Sequence, residues 1–136
     1  MQLDTAVFHL LRRAMQEHSA RWQARLPQVT KPQYAVLRVI GARPGIEQSA
    51  LGVQAAIDKA TLAAMLLRME ERGLLRRSVD PGDRRRRLLE LTAAGHAELR
   101  SAAPVADRVD AEMLDRLSPE ERAQLHDLLV KLAPVE

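Results

Sequence analysis

The sequence predicts a mainly α-helical domain with one small β-hairpin. Three observations lead to this prediction: apolar residues recur at helical spacing, capping residues precede several of these stretches, and one segment carries turn chemistry between two strand-like runs. At 136 residues the chain can build one compact core but is short for two. We therefore expect a single domain.

The first two helices follow from apolar periodicity and from the residues that interrupt it. Apolar side chains recur from Leu3 to Leu26 with charged residues between them, and Pro27 ends the pattern. Thr30 is a suitable N-cap for the second helix, which ends in the glycine-containing stretch at 41–45.

Two shorter helices follow, separated by only about three residues. The third is predicted from Glu47 to Ala55, and the fourth is capped by Asp58, runs through Arg72 and ends at Gly73. A connection of this length is typical of a helix-turn-helix.

Residues 74–91 have the pattern of a β-hairpin. Two strand-like runs, 74–79 and 84–91, flank an Asp-Pro-Gly-Asp tetrad at 80–83. Proline fixes one backbone dihedral and glycine accepts conformations closed to other residues, so the tetrad predicts a tight turn.

The last third of the chain returns to helical signals. Thr92 caps a fifth helix that continues to about Leu117, and Pro104 within it predicts a kink or a break into two pieces. A capping box at 118–121 opens a sixth helix. The resulting prediction is a mainly α fold with a small β-hairpin wing, a winged helix-turn-helix of six helices.

Composition and charge limit the classes of function. The chain has no cysteine, which excludes disulfide frameworks, thiolate catalysis and cysteine-based zinc sites. Charged residues interrupt the first apolar segment, so we expect neither signal peptide nor membrane span, and a cytoplasmic location. The formal net charge is +3, but residues 58–91 carry nine Lys/Arg against six acids while 92–136 carry five against nine. This asymmetry favours one surface that binds a polyanion.

The fourth helix is predicted to present one face to DNA. Its apolar residues Leu62, Met65, Leu66 and Met69 have helical spacing and should face the core. Small residues on the opposite face allow a close approach to a groove, and polar ones can reach phosphates or base edges. The predicted contacts are Lys59, Ala60, Thr61, Ala64 and Arg68. An ordinary amphipathic surface helix is the alternative.

The hairpin supplies the second group of predicted DNA contacts. Four consecutive arginines repel one another unless an anion is bound, and the phosphate backbone of DNA supplies one. Strand alternation sends successive side chains to opposite faces, so about half should reach nucleic acid, while Asp83 and Glu90 can pair with the rest. The arginines are Arg84, Arg85, Arg86 and Arg87. A merely solvated charged face is the alternative.

Four motifs between Thr30 and Gly95 carry a family resemblance. They are Asp-Lys-Ala-Thr-Leu at 58–62, Leu-Arg-Met-Glu-Glu-Arg-Gly-Leu-Leu at 67–75, Val-Asp-Pro-Gly-Asp-Arg-Arg at 79–85 and Leu-Thr-Ala-Ala-Gly at 91–95. Together they resemble the MarR family of transcriptional regulators. The resemblance implies a recognition helix in the major groove of DNA, Arg85 at the wing tip in the minor groove, and Asp83 holding that arginine in place.

The sequence also departs from the family pattern. Similar proteins often carry Ser or Thr at the position of Ala60, and Ala63 and Ala64 also lack polar side chains. We therefore expect few direct hydrogen bonds to bases. Specificity would then depend on thymine-methyl contacts and on groove width. Ala56 replaces the usual glycine in the turn before the fourth helix, and Pro104 is the third departure.

The resemblance further divides residues 1–136, taken as one MarR-like domain, into a winged helix lobe at 30–95 and dimerisation helices at 1–29 and 96–136. Apolar stripes at both ends would form a homodimer interface, and the dimer would bind the two half-sites of a pseudo-palindromic operator. Alternatively, the stripes would close the core of a monomer. These stripes are Leu3, Val7, Leu10 and Leu11, and Leu125, Leu128, Leu129 and Leu132.

Similar proteins bind small aromatic or anionic molecules between the dimerisation helices and the DNA-binding lobe. Aromatic and cationic residues in the first two helices suit such an effector. The candidates are Phe8, His9, Arg13, His18, Trp22, Tyr34 and Arg38. The overall expectation is a repressor that binds double-stranded DNA as a homodimer. The effector releases it from the DNA, and no cofactor is expected.

Two other functions stay open at this stage, and an enzyme is not expected. No convergent nucleophile and base, HExxH motif or glycine-rich phosphate loop occurs in the sequence. The alternatives are a helical module that binds an acidic protein and a metal-responsive regulator, although the four histidines are scattered.

Overall fold

The computed structural model describes residues 2–134, except for the side chain of Leu3, and contains the six helices expected from the sequence. After a 3-10 turn, the elements in chain order are α1 (Val7–Arg25), α2 (Lys31–Ala42), β1 (Ile46–Glu47), α3 (Gln48–Ala55), α4 (Lys59–Glu71), β2 (Leu75–Asp80), β3 (Asp83–Leu91), α5 (Ala93–Leu114) and α6 (Pro119–Leu132).

The three strands form one antiparallel sheet in the order β1-β3-β2. The hairpin of β2 and β3 was predicted, but β1 was not. Ile46 pairs with Leu89 and Glu47 pairs with Leu88, so Glu47 belongs to a strand and α3 begins one residue later than expected. Two residues are too few to show alternation, which is why the sequence pattern missed this strand.

The core lies between α1, α2, α3, α4, α5 and the inner face of the sheet. Its fully enclosed side chains include Leu37, Ile40, Leu51, Leu66 and Leu89. The four apolar residues of α4 that helical spacing assigned to the core are all buried. This packing fixes the opposite face of α4 toward solvent.

The predicted caps are present at four helix starts. The side chains of Thr30, Asp58, Thr92 and Ser118 each accept a hydrogen bond from a backbone N–H in the first turn of the following helix. Each bond satisfies a donor that the helix leaves free, which fixes where the helix begins.

The prediction of a break at Pro104 is wrong, because α5 continues through this residue. The helix ends at Leu114, three residues before the expected Leu117. Proline removes one backbone donor, but Pro104 is exposed while Ala102, Ala106 and Val109 bury the other side of the helix. Packing on both sides of the proline therefore holds the helix together.

Two glycines join the wing to its flanking helices. Gly73 follows α4 with φ +76°, a conformation that favours glycine. Thr92 donates its hydroxyl to the Gly73 carbonyl at 2.5 Å and accepts from the Gly95 N–H at 3.1 Å. A Cβ on Gly95 would lie 2.0 Å from the carbonyl oxygen of Leu74, so only glycine fits there.

Within residues 2–134, no single helix is both long and apolar enough to cross a membrane. Only α3 and α4 taken together reach that length and hydropathy, and the two helices are bent by 108° relative to each other.

Candidate nucleic-acid interface

An open cleft of about 800 Å³ lies between α3, the start of α4 and the wing. Its floor is largely apolar, and four cationic side chains stand around it. The lining residues include Gly52, Val53, Ile57, Leu62, Lys59, Arg77, Arg85 and Arg87. An open groove with several cations at its rim can bind an extended polyanion.

The start of α4 is fixed by a double hydrogen bond within its cap. The Asp58 carboxylate accepts from the Thr61 N–H at 2.9 Å and from the Thr61 hydroxyl at 2.8 Å. These bonds lower the pKa of Asp58 below its ordinary value of 3.8. Thr61 was predicted to contact DNA, but in this arrangement its hydroxyl proton is used within the protein. Lys59, Ala60, Ala64 and Arg68 are exposed.

The wing tip presents Arg85 to solvent on a braced backbone. Its side chain is 92% exposed, while its N–H and Nε donate to the Asp83 carboxylate at 3.0 and 3.3 Å. Gly82 donates its N–H to Asp80 at 2.8 Å, which closes the turn. The bond that the resemblance implied between Asp83 and Arg85 is therefore present.

The other wing arginines separate by face, as alternation predicted. Arg87, like Arg85, lines the cleft, whereas Arg86 pairs with Asp80 at 2.9 Å and Glu47 at 3.3 Å. Within residues 2–134, Arg84 and Arg87 have no carboxylate partner. The charge of Arg86, unlike that of Arg84 and Arg87, is thus balanced inside the molecule.

An ion pair that sequence reasoning missed joins α4 to the wing. Glu70 accepts from the backbone N–H of Arg77 at 3.4 Å and from its guanidinium at 3.3 Å. Likewise, Glu90 pairs with Arg76 at 3.5 Å, whereas it had been expected to neutralise the consecutive arginines. No local signal in the sequence predicts that these residues meet.

Four of the seven residues predicted to bind an effector lie together between α1 and α2. The Trp22 and Tyr34 rings are 5.3 Å apart, the His18 ring lies 6.1 Å from Trp22, and Arg38 donates to the Tyr34 hydroxyl at 3.2 Å. This hydrogen bond raises the pKa of Arg38 above its ordinary value. We call these four residues the aromatic cluster.

The other three candidates lie apart from the aromatic cluster. Phe8, His9 and Arg13 occupy the first two turns of α1, and Phe8 is 71% exposed. A smaller cleft beside Trp22 contains Lys31, which sequence reasoning did not select. Burial lowers the pKa of Lys31, with Asp110 acting in the opposite direction.

Comparison with known proteins identifies the family. The profile of the MarR family matches residues 29–86. The chain is 54% identical over 132 residues to the transcriptional regulator HosA of Escherichia coli O111:H-, which covers 97% of this chain and 98% of HosA. The chain belongs to the MarR family.

Solved MarR-family structures share this fold over nearly the full chain. Bordetella bronchiseptica BpsR, whose DNA binding is regulated by 6-hydroxynicotinic acid, is 33% identical with a TM-score of 0.94, covering 100% of this chain and 99% of BpsR. The repressor CouR, solved on a 23-mer DNA duplex, is 30% identical with a TM-score of 0.88, covering 96% of this chain and 94% of CouR. Family and relatives are transcriptional regulators, not enzymes.

In this MarR-family chain, ion pairs that the sequence did not reveal hold α1 against α5 and the turn that follows it. Glu17 accepts from Arg116 at 2.6 Å and from Arg21 at 3.0 Å, and Arg21 also reaches Glu112 at 2.9 Å. His18 and Asp110 meet at 2.6 Å. These contacts fix the aromatic cluster to α5.

Among the described residues, no group of three or more His, Cys, Asp or Glu side chains is arranged to hold a metal ion.

Proposed function

We propose that this protein is a sequence-specific DNA-binding repressor that acts as a homodimer and is released from a pseudo-palindromic operator by a small aromatic or anionic effector. The observation that carries this proposal is the open cleft with Arg85 at its tip. Arg85 is 92% exposed, and its backbone is already held by Asp83. Its entry into a groove therefore requires little further loss of conformational entropy.

In the proposed complex α4 lies in the major groove and the wing follows the adjacent minor groove. Lys59, Arg84 and Arg87 neutralise phosphates, and Arg85 enters the minor groove, where a narrow groove has an enhanced negative potential. Arg86 keeps the wing in shape through its two carboxylates and is not counted as a DNA contact.

The dimer is supported by apolar surface that a single chain leaves in water. No residue of α6 is buried, and the start of α1 is similarly exposed. The exposed fractions are 62% for Val7, 71% for Phe8, 64% for Leu128, 39% for Leu129 and 55% for Leu132. We therefore assign residues 1–29 and 96–136 to dimerisation and 30–95 to DNA binding, in one domain; the side chain of Leu3 and residues 1, 135 and 136 lie outside the described part.

The effector site proposed here is the aromatic cluster. The Trp22 and Tyr34 rings, which meet edge to face, lie beside a cation, and this arrangement suits a flat aromatic acid, because the rings offer it apolar contact and the guanidinium of Arg38 can pair with its carboxylate. The cluster contacts α1, α2 and α5, so a ligand there can shift the lobe relative to the dimerisation helices. BpsR, which responds to a hydroxylated pyridine carboxylic acid, supports this ligand class.

DNA binding is tested with a randomised 30-bp duplex library, followed by fluorescence anisotropy on an enriched duplex. Arg85→Ala should weaken binding about tenfold or more, and the affinity should fall steeply with salt concentration. Arg108→Ala is the matched control, because this exposed arginine lies about 20 Å along α5 from Gly95. Equal binding by both variants would contradict the assignment of the wing.

Release is tested by adding small aromatic acids to the same complex. An active compound should lose potency with Tyr34→Phe, which removes the hydroxyl that orients Arg38, while DNA affinity without the compound stays unchanged. Release that is equally efficient in this variant would place the effector elsewhere.

A further inference from the structure

The outer face of α4 carries one large apolar side chain that the described chain leaves half exposed. Leu67 is 49% exposed, whereas its neighbour Leu66 is fully buried. Leu67 lies three residues after Ala64 and seven after Ala60, so all three share one face of the helix. An exposed leucine in the middle of a proposed DNA-binding surface requires an explanation.

Hydrogen-bonding groups are scarce beside Leu67. The Thr61 hydroxyl donates to Asp58, and Ala60 and Ala64 have no polar atoms. Arg68 is exposed next to Leu67 and Glu71 is exposed one turn later on the same face, while Lys59, Arg77, Arg85 and Arg87 line the adjoining cleft. The cations of the adjoining cleft favour a polyanion as the partner, and the exposed Leu67 favours one that also offers an apolar group.

We propose that Leu67 is a specificity-determining residue that contacts the 5-methyl group of a thymine in the major groove; this inference rests on the DNA-binding function proposed above. Among the base edges in that groove, the thymine methyl is the apolar group. Any other base placed against Leu67 would lose water from a polar edge without gaining a hydrogen bond.

The test replaces single thymines by deoxyuridine in the duplex enriched from the library. Uracil pairs like thymine and lacks only the methyl group, so the substitution isolates this contact. At one symmetry-related pair of positions, affinity should fall about fourfold for each methyl removed. At the other thymines it should change less.

The variant Leu67→Ala identifies the residue responsible. It should bind the thymine and uracil duplexes with equal affinity at that pair of positions, whereas Leu67→Ile should retain the preference for thymine because it keeps the apolar bulk. The thermal midpoint of each variant serves as the folding control, since Leu67 is half exposed.

Two outcomes would overturn the inference and can be distinguished. If no uracil substitution matters while Arg85→Ala still weakens binding, Leu67 does not read a methyl group and the proposed function stands. If the library yields no bound duplex at low salt, the proposed function fails and the inference fails with it.

Discussion

The winged lobe and the terminal helices differ in how much of their apolar surface is buried within one chain. In the lobe, α2, α3, α4 and the sheet enclose Leu37, Ile40 and Leu51 completely. In α6 no residue is buried, and Leu128 is 64% exposed. The lobe is thus enclosed within one chain, whereas α6 and the start of α1 leave apolar side chains exposed, which the dimer proposed above would cover. The comparison can be tested by damaging each region separately.

The largest effect is expected at the junction between the lobe and α5. Gly95→Ala would place a Cβ 2.0 Å from the Leu74 carbonyl oxygen, and backbone must shift to relieve the clash. We expect a loss of about 3 kcal/mol or more in the free energy of unfolding, measured by urea denaturation.

Gly82→Ala is the matched control for this substitution. The nearest atom to its added Cβ is a side-chain oxygen of Asp80 at 3.5 Å, an ordinary contact. If both variants lose the same stability, the close approach at Gly95 does not hold the wing to α5.

A smaller effect is expected from a charge in the proposed dimer interface. Leu128→Glu should weaken dimerisation by about 2 kcal/mol, roughly thirtyfold in Kd, because it places a carboxylate in a surface that pairing desolvates. Sedimentation equilibrium measures the Kd, and Gln124→Glu is the control on the same helix. The lobe should keep its fold in the monomer; loss of helicity with dissociation would show that the two regions are not independent.

Acid should weaken the ion pair between Glu17 of α1 and Arg116, which lies just after α5. The hydrogen bond from Arg116 lowers the pKa of Glu17 below its ordinary value of 4.5, although desolvation opposes the shift. A carboxylate with a lowered folded-state pKa stabilises the protein above its unfolded value, and this contribution is lost as pH falls through the folded value. The thermal midpoint should therefore drop below about pH 4.5.

Glu17→Gln tests the source of this pH dependence. The variant should have a lower midpoint at neutral pH and a shallower decline in acid than the parent, whereas Glu120→Gln, an exposed residue of α6, should follow the parent. An unchanged acid decline in Glu17→Gln would exclude the pair with Arg116 as its cause.

The features predictable from the sequence are those with local causes. Capping residues set the starts of α2, α4, α5 and α6, and the family resemblance of the segment 79–85 implied the bond between Asp83 and Arg85. The features missed depend on contacts between distant segments. Strand β1 exists because β3 offers it a partner, and Glu70 meets Arg77 only after the wing folds back on α4. That Phe8, His9 and Arg13 fall outside the aromatic cluster likewise depends on how α1 packs against α2, which the sequence alone does not reveal.

The smallest expected effect concerns the turn between α3 and α4, where Ala56 has φ +56°. The left-handed conformation costs a residue with a Cβ about 1–2 kcal/mol, while glycine adopts it freely but loses more entropy on folding. Ala56→Gly should therefore stabilise the protein by about 0.5–1 kcal/mol in urea denaturation. Ala50→Gly, within α3, should instead destabilise it by about 1 kcal/mol. Destabilisation by both variants would mean that the turn tolerates Ala56 without strain, and that the lobe tolerates this departure from its family at no cost.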